Sequence, residues 1–326
     1  MLNLFRNNTL LAWTLLLILV IVLRIPVYLK PIAYEYNQTA PFANFIFTFI
    51  QTIPNHNLWS LIISASIVFV QAILLNYIVT THEILYKDSF LPALFFVLLN
   101  SLFPQQTELF PQLISTLFLL LLFQRLCYLY ESANPQLVVL DAGLYLGIGI
   151  LFNYDLFLYL PFILISVVIF TSFNFRYLLI SVLGIILPLY FIGTYFYVFN
   201  RLDEIITLII HSFETKNLIT IETDWERLLP WVILAPVSAL SILGLQQNFF
   251  RNKVKSRRIV QTLFLMLFFG MLGLFFDNIN YIYALCYLSI PLSIILAYYF
   301  ISTKNYILKE LVFLALLMLI FYYQLR

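Results

Sequence analysis

The stretch MLNLFRNNTLLAWTLLLILVIVLRIPVY, Met1 to Tyr28, decides the class of this chain. After one early arginine, Arg6, the apolar run continues long enough to cross a bilayer, which takes about 20 helical residues. No small-residue cleavage pattern follows the run. We therefore expect a retained first membrane helix rather than a removable signal.

The rest of the sequence repeats this apolar pattern. Of the 326 residues, 63% are hydrophobic and only 10% are charged, too few charges to hydrate the surface of a soluble protein. Lipid forces a backbone to satisfy its own hydrogen bonds, and the alternating pattern of an outer-membrane barrel is missing. The sequence predicts an all-α polytopic membrane protein of about eleven helices, with residues 1–326 forming a single integral membrane domain. The predicted helices lie at about 9–27, 58–80, 89–103, 110–130, 137–152, 155–171, 176–199, 228–246, 259–276, 280–301 and 306–324.

One loop sets the predicted orientation. The segment QQNFFRNKVKSRR, Gln246 to Arg258, holds five basic residues, and such loops stay on the cytoplasmic side. Counting back eight crossings places the N-terminus inside as well. The predicted location is the bacterial inner membrane, crossed many times.

Two predicted external segments are longer than connectors need to be, from about residue 27 to 57 and from about 200 to 227. The first repeats Phe and Ile at helical spacing from Phe42 to Ile53, and the second repeats Leu and Ile from Leu202 to Phe213. This spacing predicts amphipathic helices that lie in the membrane interface and cover a cavity open to the external face.

Several function classes lack support. The sequence has no P-loop, GxGxxG, GxSxG, HExxH or CxxC motif. A net charge of only +2 gives nucleic acid no electrostatic reason to bind. The three histidines fall in three different loops, so we predict no histidine metal cluster.

The candidate chemistry lies in external carboxylates. Glu35, in PIAYEYNQTAP, and Glu108, in FPQQTELFP, are each the sole acid of a loop flanked by aromatic and amide side chains. A carboxylate can serve as a general base for a hydroxyl, and two together can hold a divalent metal on a phosphate. We predict Glu35 and Glu108 as the catalytic pair, with a divalent metal as a possible cofactor. The alternative is that each acid is only a hydrated side chain at the interface.

Other polar residues on the same predicted side complete the candidate site. Asp155 lies in the turn FNYDLFLYLP, and His211 lies on the polar face of the second external segment. The predicted substrate-binding residues are Tyr34, Tyr36, Asn37, Asp155 and His211. Arg24, near the external end of the first helix, is expected to extend its side chain to water.

This order of segments resembles the GT-C superfamily of integral membrane glycosyltransferases. The stretch DAGLYLGIGILFNYDLFLYLPFILISVVIFTSFNFRYLLISVLGIILPLYFIGTYF is similar to their middle helices, and the resemblance covers about residues 1–230, with 231–326 as additional helices. In that superfamily, acids of the first and often the second external loop form the catalytic and metal site. By position these correspond to Glu35 and Glu108. Members typically carry an aspartate or an acidic pair in the first loop, where this chain has one glutamate. The texture also resembles a polytopic inner-membrane family of Bacteroidota.

Three functions stay open from the sequence. The resemblance implies a protein that transfers or binds a polyprenyl-phosphate-linked sugar at the external face. The alternatives are a non-catalytic membrane subunit of a cell-envelope assembly or export complex, and a transporter or lipid flippase. The corresponding partners are membrane lipid, a polyprenyl-phosphate-linked sugar, or the protein subunits of an envelope complex. Whether the chain is an enzyme stays undecided at this level.

Overall fold

A computed structural model describes residues 5, 10–30, 40–203, 206–207, 209–210, 225–248, 253–276, 281–303 and 306–325. The prediction of an all-α polytopic membrane protein is confirmed, since ten helices in these ranges are long and apolar enough to cross a bilayer. The α-helices are α1 Leu10–Val22, α2 Ile25–Leu29, α3 Pro41–Gln51, α4 His56–Thr81, α5 Leu91–Leu99, α6 Pro111–Leu129, α7 Pro135–Phe152, α8 Leu160–Thr171, α9 Phe175–Val198, α10 Trp225–Asn248, α11 Val254–Phe276, α12 Tyr281–Ser302 and α13 Tyr306–Leu325. Short 3₁₀ helices span Pro104–Thr107 and Tyr154–Tyr159.

The predicted third crossing has an unexpected form. Its helix, α5, has only nine residues, all of them buried, and the chain then continues through an irregular turn into the 3₁₀ helix Pro104–Thr107. One end is tied down where the Phe90 N–H donates to the Phe5 carbonyl, and the other where the Gln106 amide donates to the Ile282 carbonyl. Irregular backbone at membrane depth is tolerated only inside protein. Neighbouring helices α4 and α12 supply that enclosure.

Charged contacts gather at one end of the bundle, which we call the basic face: Glu83, Glu131, Lys253, Lys255 and Arg258. Lys253 binds Glu83 and Lys255 binds Glu131, each at 2.7 Å between Nζ and a carboxylate oxygen. Arg258 donates to the Phe170 carbonyl and lies 5.4 Å from the centre of the Tyr130 ring. These contacts fasten the start of α11 to the chain after α4, the chain after α6 and the end of α8. The sequence predicts that this face is cytoplasmic.

The opposite end, the pocket face, comprises the α2 end with Tyr28, the α4 start with Asn55 to Asn57, and Glu108. α3 lies on this side and packs against α4 and α7. It forms where the sequence predicts an interfacial helix, and eleven residues are too few to span a bilayer. The second predicted interfacial segment falls mostly outside the described residues.

Small residues set the distance between α7 and α9. A Cβ added to Gly143 would lie 2.4 Å from the Ser181 carbonyl oxygen, and one added to Gly184 would lie 2.5 Å from that of Leu140. Neither position can hold a larger residue without moving a backbone. Such small-residue seams let membrane helices gain van der Waals contact where lipid offers no hydrophobic driving force.

The centre of the bundle is filled by α12. This helix is almost entirely buried and packs against α5, α6, α10 and α11. Its Ser289 and Ser293 hydroxyls donate back to carbonyls one turn earlier, so these buried polar atoms are satisfied within the helix. By contrast, α9 exposes most of its surface and packs on α7 and α8.

Candidate functional site

Glu108 lies between the 3₁₀ helix Pro104–Thr107 and α6, in extended backbone with φ −79° and ψ 172°. The residue is only 8% exposed, yet it lines a cavity of about 310 Å³ on the pocket face. The polar lining residues besides Glu108 are Tyr28, Asn55, His56 and Asn57. The apolar ones are Val27, Leu58 and Leu61. A carboxylate, an imidazole, a phenol and two amides thus share one small space.

Two serines of α4 hold the Glu108 backbone on both sides. Ser60 and Ser64 are four residues apart, so they lie on one face of the helix. The Ser60 Oγ accepts the Leu109 N–H at 3.0 Å, and the Ser64 hydroxyl donates to the Thr107 carbonyl. Both serines are buried. The peptide units before and after Glu108 are therefore fixed, which orients its side chain toward the cavity.

Arg24 contacts Ser64, one of the two serines that hold the Glu108 backbone. The prediction that its side chain extends to water is wrong. The side chain is 5% exposed, with Nε donating to the Ser64 Oγ and Nη1 to the Val20 carbonyl, both at 3.2 Å. The turn between α1 and α2 makes this possible, because α2 begins at Ile25, with Pro26 in its first turn, and leaves Arg24 at its N-cap position. One cation is thus linked through Ser64 to the loop that carries Glu108.

Asp155 takes part in a different set of contacts. Its Oδ2 accepts the Asn153 amide at 2.7 Å, and that amide also contacts the Tyr287 hydroxyl at 2.7 Å. Tyr287 in turn shares a 2.7 Å hydrogen bond with Ser115. The network joins α6, α12 and the break after α7. Asp155 is not among the described residues that line the Glu108 cavity, so the structure does not bring these two acids together there.

The other predicted site residues, Tyr34, Glu35, Tyr36, Asn37 and His211, lie outside the described residues. The pairing of Glu35 with Glu108 therefore stays a prediction. Within the described ranges, no three His, Cys, Asp or Glu side chains are grouped so that they could hold a metal ion.

His56 lines the same cavity as Glu108, although the sequence did not predict it as a candidate site residue. It is the first residue of α4, and Asn55 before it adopts a left-handed conformation with φ 58°, which small polar residues tolerate best. The order of the segments along the chain could have indicated that His56 and Glu108 lie on the same side of the bundle. His56 begins the helix that leaves the first external segment, and Glu108 lies in the next predicted external loop.

Comparison with known proteins gives one match. A family model described as "Family of unknown function (DUF6427)" matches residues 35–326. No curated protein and no solved structure matches the chain.

Proposed function

This chain belongs to the DUF6427 family, a family of unknown function, and we propose that it is a GT-C-like membrane protein. In this proposal it binds a polyprenyl-phosphate-linked sugar at the external face of the bacterial inner membrane and transfers the sugar. One observation carries the proposal: Glu108 is nearly buried, yet its loop is fixed so that it lines a polar cavity. Burying an ionisable group is costly, and such groups in membrane proteins are functional candidates.

Glu108 acts as the general base. Its carboxylate accepts the proton of an acceptor hydroxyl while that oxygen attacks the anomeric carbon of the donor. The sugar–phosphate bond breaks, and polyprenyl phosphate leaves with the electron pair. His56, Asn55 and Asn57 are placed to hydrogen-bond sugar hydroxyls, and Tyr28 adds an aromatic ring.

The described residues do not by themselves fit a divalent cation. Glu108 supplies one carboxylate to the cavity, whereas hard cations take several oxygen ligands. The proposed step is therefore assigned to the base alone.

The filled centre of the bundle supports an enzyme over a transporter. A carrier needs a binding space that can open to either side, and here α12 occupies the middle with almost no exposed surface. The non-catalytic subunit stays a second candidate, because the exposed α9 offers a long flank to lipid or to another protein.

The test uses the full chain in proteoliposomes that contain polyprenyl-phosphate-linked radiolabelled hexoses as probes. The measurement is the release of polyprenyl phosphate, including slow transfer to water. Glu108→Gln keeps the shape but removes the negative charge, and its rate should fall by about 10²–10⁴, the usual worth of a general base.

Glu131→Gln, the same change on the basic face, should release polyprenyl phosphate at the wild-type rate. Equal rates for Glu108→Gln and wild type would contradict the catalytic role. Binding of the probe without any release by wild type would favour the subunit.

A further inference from the structure

A second cavity lies at the start of α3. It is an apolar groove of about 740 Å³ between α3, α7 and α9, which we call the α3 groove. Its walls include Phe42 and Phe45 from α3, Ile148 from α7, and Phe191 and Phe196 from α9. Of the described residues that line it, Arg201 alone carries a charge.

The end of α9 fixes where Arg201 lies. Asn200 adopts a left-handed conformation with φ 54°, and its N–H donates to the Tyr197 carbonyl at 3.0 Å. The Arg201 N–H donates to the Phe196 carbonyl at 2.8 Å. This pair of bonds is a Schellman motif, which turns the chain back over the helix end. The turn places a cation at the groove, where α9 reaches the pocket face.

We propose that the α3 groove binds an anionic phospholipid of the external leaflet, with an acyl chain along the aromatic walls and the phosphate on Arg201. Charge complementarity selects the headgroup, because a guanidinium matches two phosphate oxygens at once. The continuous apolar lining selects a hydrocarbon chain over a polar ligand. This site goes beyond the proposed function, since it uses no residue of the Glu108 cavity and would bind lipid whether or not Glu108 is catalytic.

A simpler role for Arg201 is to balance the partial negative charge at the C-terminal end of α9. That role needs no ligand and involves neither the aromatic walls nor a phosphate. It predicts that changes in the groove walls leave lipid retention unaltered. The two roles therefore separate when the wall and the cation are changed one at a time.

The test is native mass spectrometry of the detergent-purified full chain, titrated with dioleoylphosphatidylglycerol. Wild type should retain one phospholipid molecule per chain more strongly than any further ones. Arg201→Gln should weaken this retention about tenfold, as expected for losing one charge-assisted contact. Ile148→Trp, which fills the groove, should abolish the preferred retention. Phe45→Ala removes one wall at a position that is 74% exposed, and should also weaken lipid retention.

Matched controls lie on the same helix. Arg176→Gln changes the arginine at the opposite end of α9, and Val182→Trp enlarges an exposed α9 residue outside the groove lining. Both should retain the lipid like wild type, and so should Glu108→Gln.

Two ligand arms complete the test. Dioleoylglycerol, which lacks the phosphate, should be retained about tenfold less than the phospholipid. Inorganic phosphate should not displace the phospholipid. Equal retention by wild type, Arg201→Gln and Phe45→Ala, equal retention of the two lipids, or displacement by inorganic phosphate would each overturn the proposal.

Discussion

The two faces of the bundle differ in how far their charged side chains are exposed. On the basic face, Lys253 and Glu83 meet each other while both stay largely exposed. On the pocket face, Arg24 and Glu108 are almost fully buried, and neutral groups hold their surroundings in place. Exposed ion pairs cost little to keep and contribute little when present. Burying a charge is costly, so the burial of Arg24 and Glu108 is what makes the pocket face our candidate for the functional one among the residues that the structure describes.

The largest expected effect on stability concerns Ser64, which anchors the Glu108 loop on the pocket face. Ser64→Ala leaves the Arg24 Nε and the Thr107 carbonyl buried without this partner, which should cost about 1–3 kcal/mol of stability. Thermal unfolding in detergent measures the loss, and release of polyprenyl phosphate should fall with it. Ser66→Ala, two residues along, removes only a hydroxyl that donates to its own helix, and should unfold like wild type. If both variants unfold alike, Ser64 is not an anchor.

A second comparison uses one histidine from each face. His56→Ala removes a ring from the Glu108 cavity and should lower turnover about tenfold, the worth of one substrate hydrogen bond. His82→Ala, which changes the residue before Glu83 of the basic face, should leave turnover unchanged. Steady-state release of polyprenyl phosphate by the two variants checks this. A loss of turnover in His82→Ala as large as in His56→Ala would remove the functional distinction between the faces.

The smallest expected effect is a stability change with pH on the basic face. Burial, with Lys255 nearby, lowers the pKa of His82 below its ordinary 6.5, although Glu131 partly opposes this. Below that value the unfolded chain binds a proton on His82 more readily than the folded chain does. Stability should therefore begin to fall as the pH drops below about 6.5.

The carboxylates of the basic face change protonation at a lower pH than His82 does. Hydrogen bonds from Lys253 and Lys255 lower the pKa values of Glu83 and Glu131 below their ordinary 4.5. Their stabilising contribution is present above that value and is lost as the pH falls through the lowered pKa values. Melting temperatures from pH 8 down to about 2.5 should show two steps in wild type, and only the lower one in His82→Asn. An upper step that persists in His82→Asn would show that another group causes it.

Sequence patterns predicted nearly every helix because apolar runs in lipid have one stable form. They could not predict that α5 is nine residues long, since hydropathy does not distinguish a segment buried in protein from one facing lipid. The burial of Arg24 was missed for a related reason. Snorkelling is the default for an arginine near a helix end, and residue spacing does not reveal the tertiary partner Ser64 that helps to satisfy the buried side chain.

The candidate site was predicted only in part. Glu108 was singled out because it is the sole acid of a polar, aromatic loop. The structure places it at a cavity, and its catalytic role stays a prediction. His56 was missed because its proximity to that cavity depends on how α2, α4 and the 3₁₀ helix pack, which residue spacing along the chain does not encode. The predicted roles of the remaining candidate residues stay predictions: Tyr34, Glu35, Tyr36, Asn37 and His211.

We predict that the Glu108 cavity opens to the outside of the cell and that the basic face lies in the cytoplasm. The direct test replaces the two buried cysteines, Cys127 and Cys286, and introduces one new cysteine at a time. Asn57→Cys at the cavity should react with a membrane-impermeant maleimide in intact cells. Ser132→Cys, beside Glu131 on the basic face, should react only after the membrane is opened. Reaction of both cysteines from the same side, or of Ser132→Cys alone in intact cells, would show that this orientation is wrong.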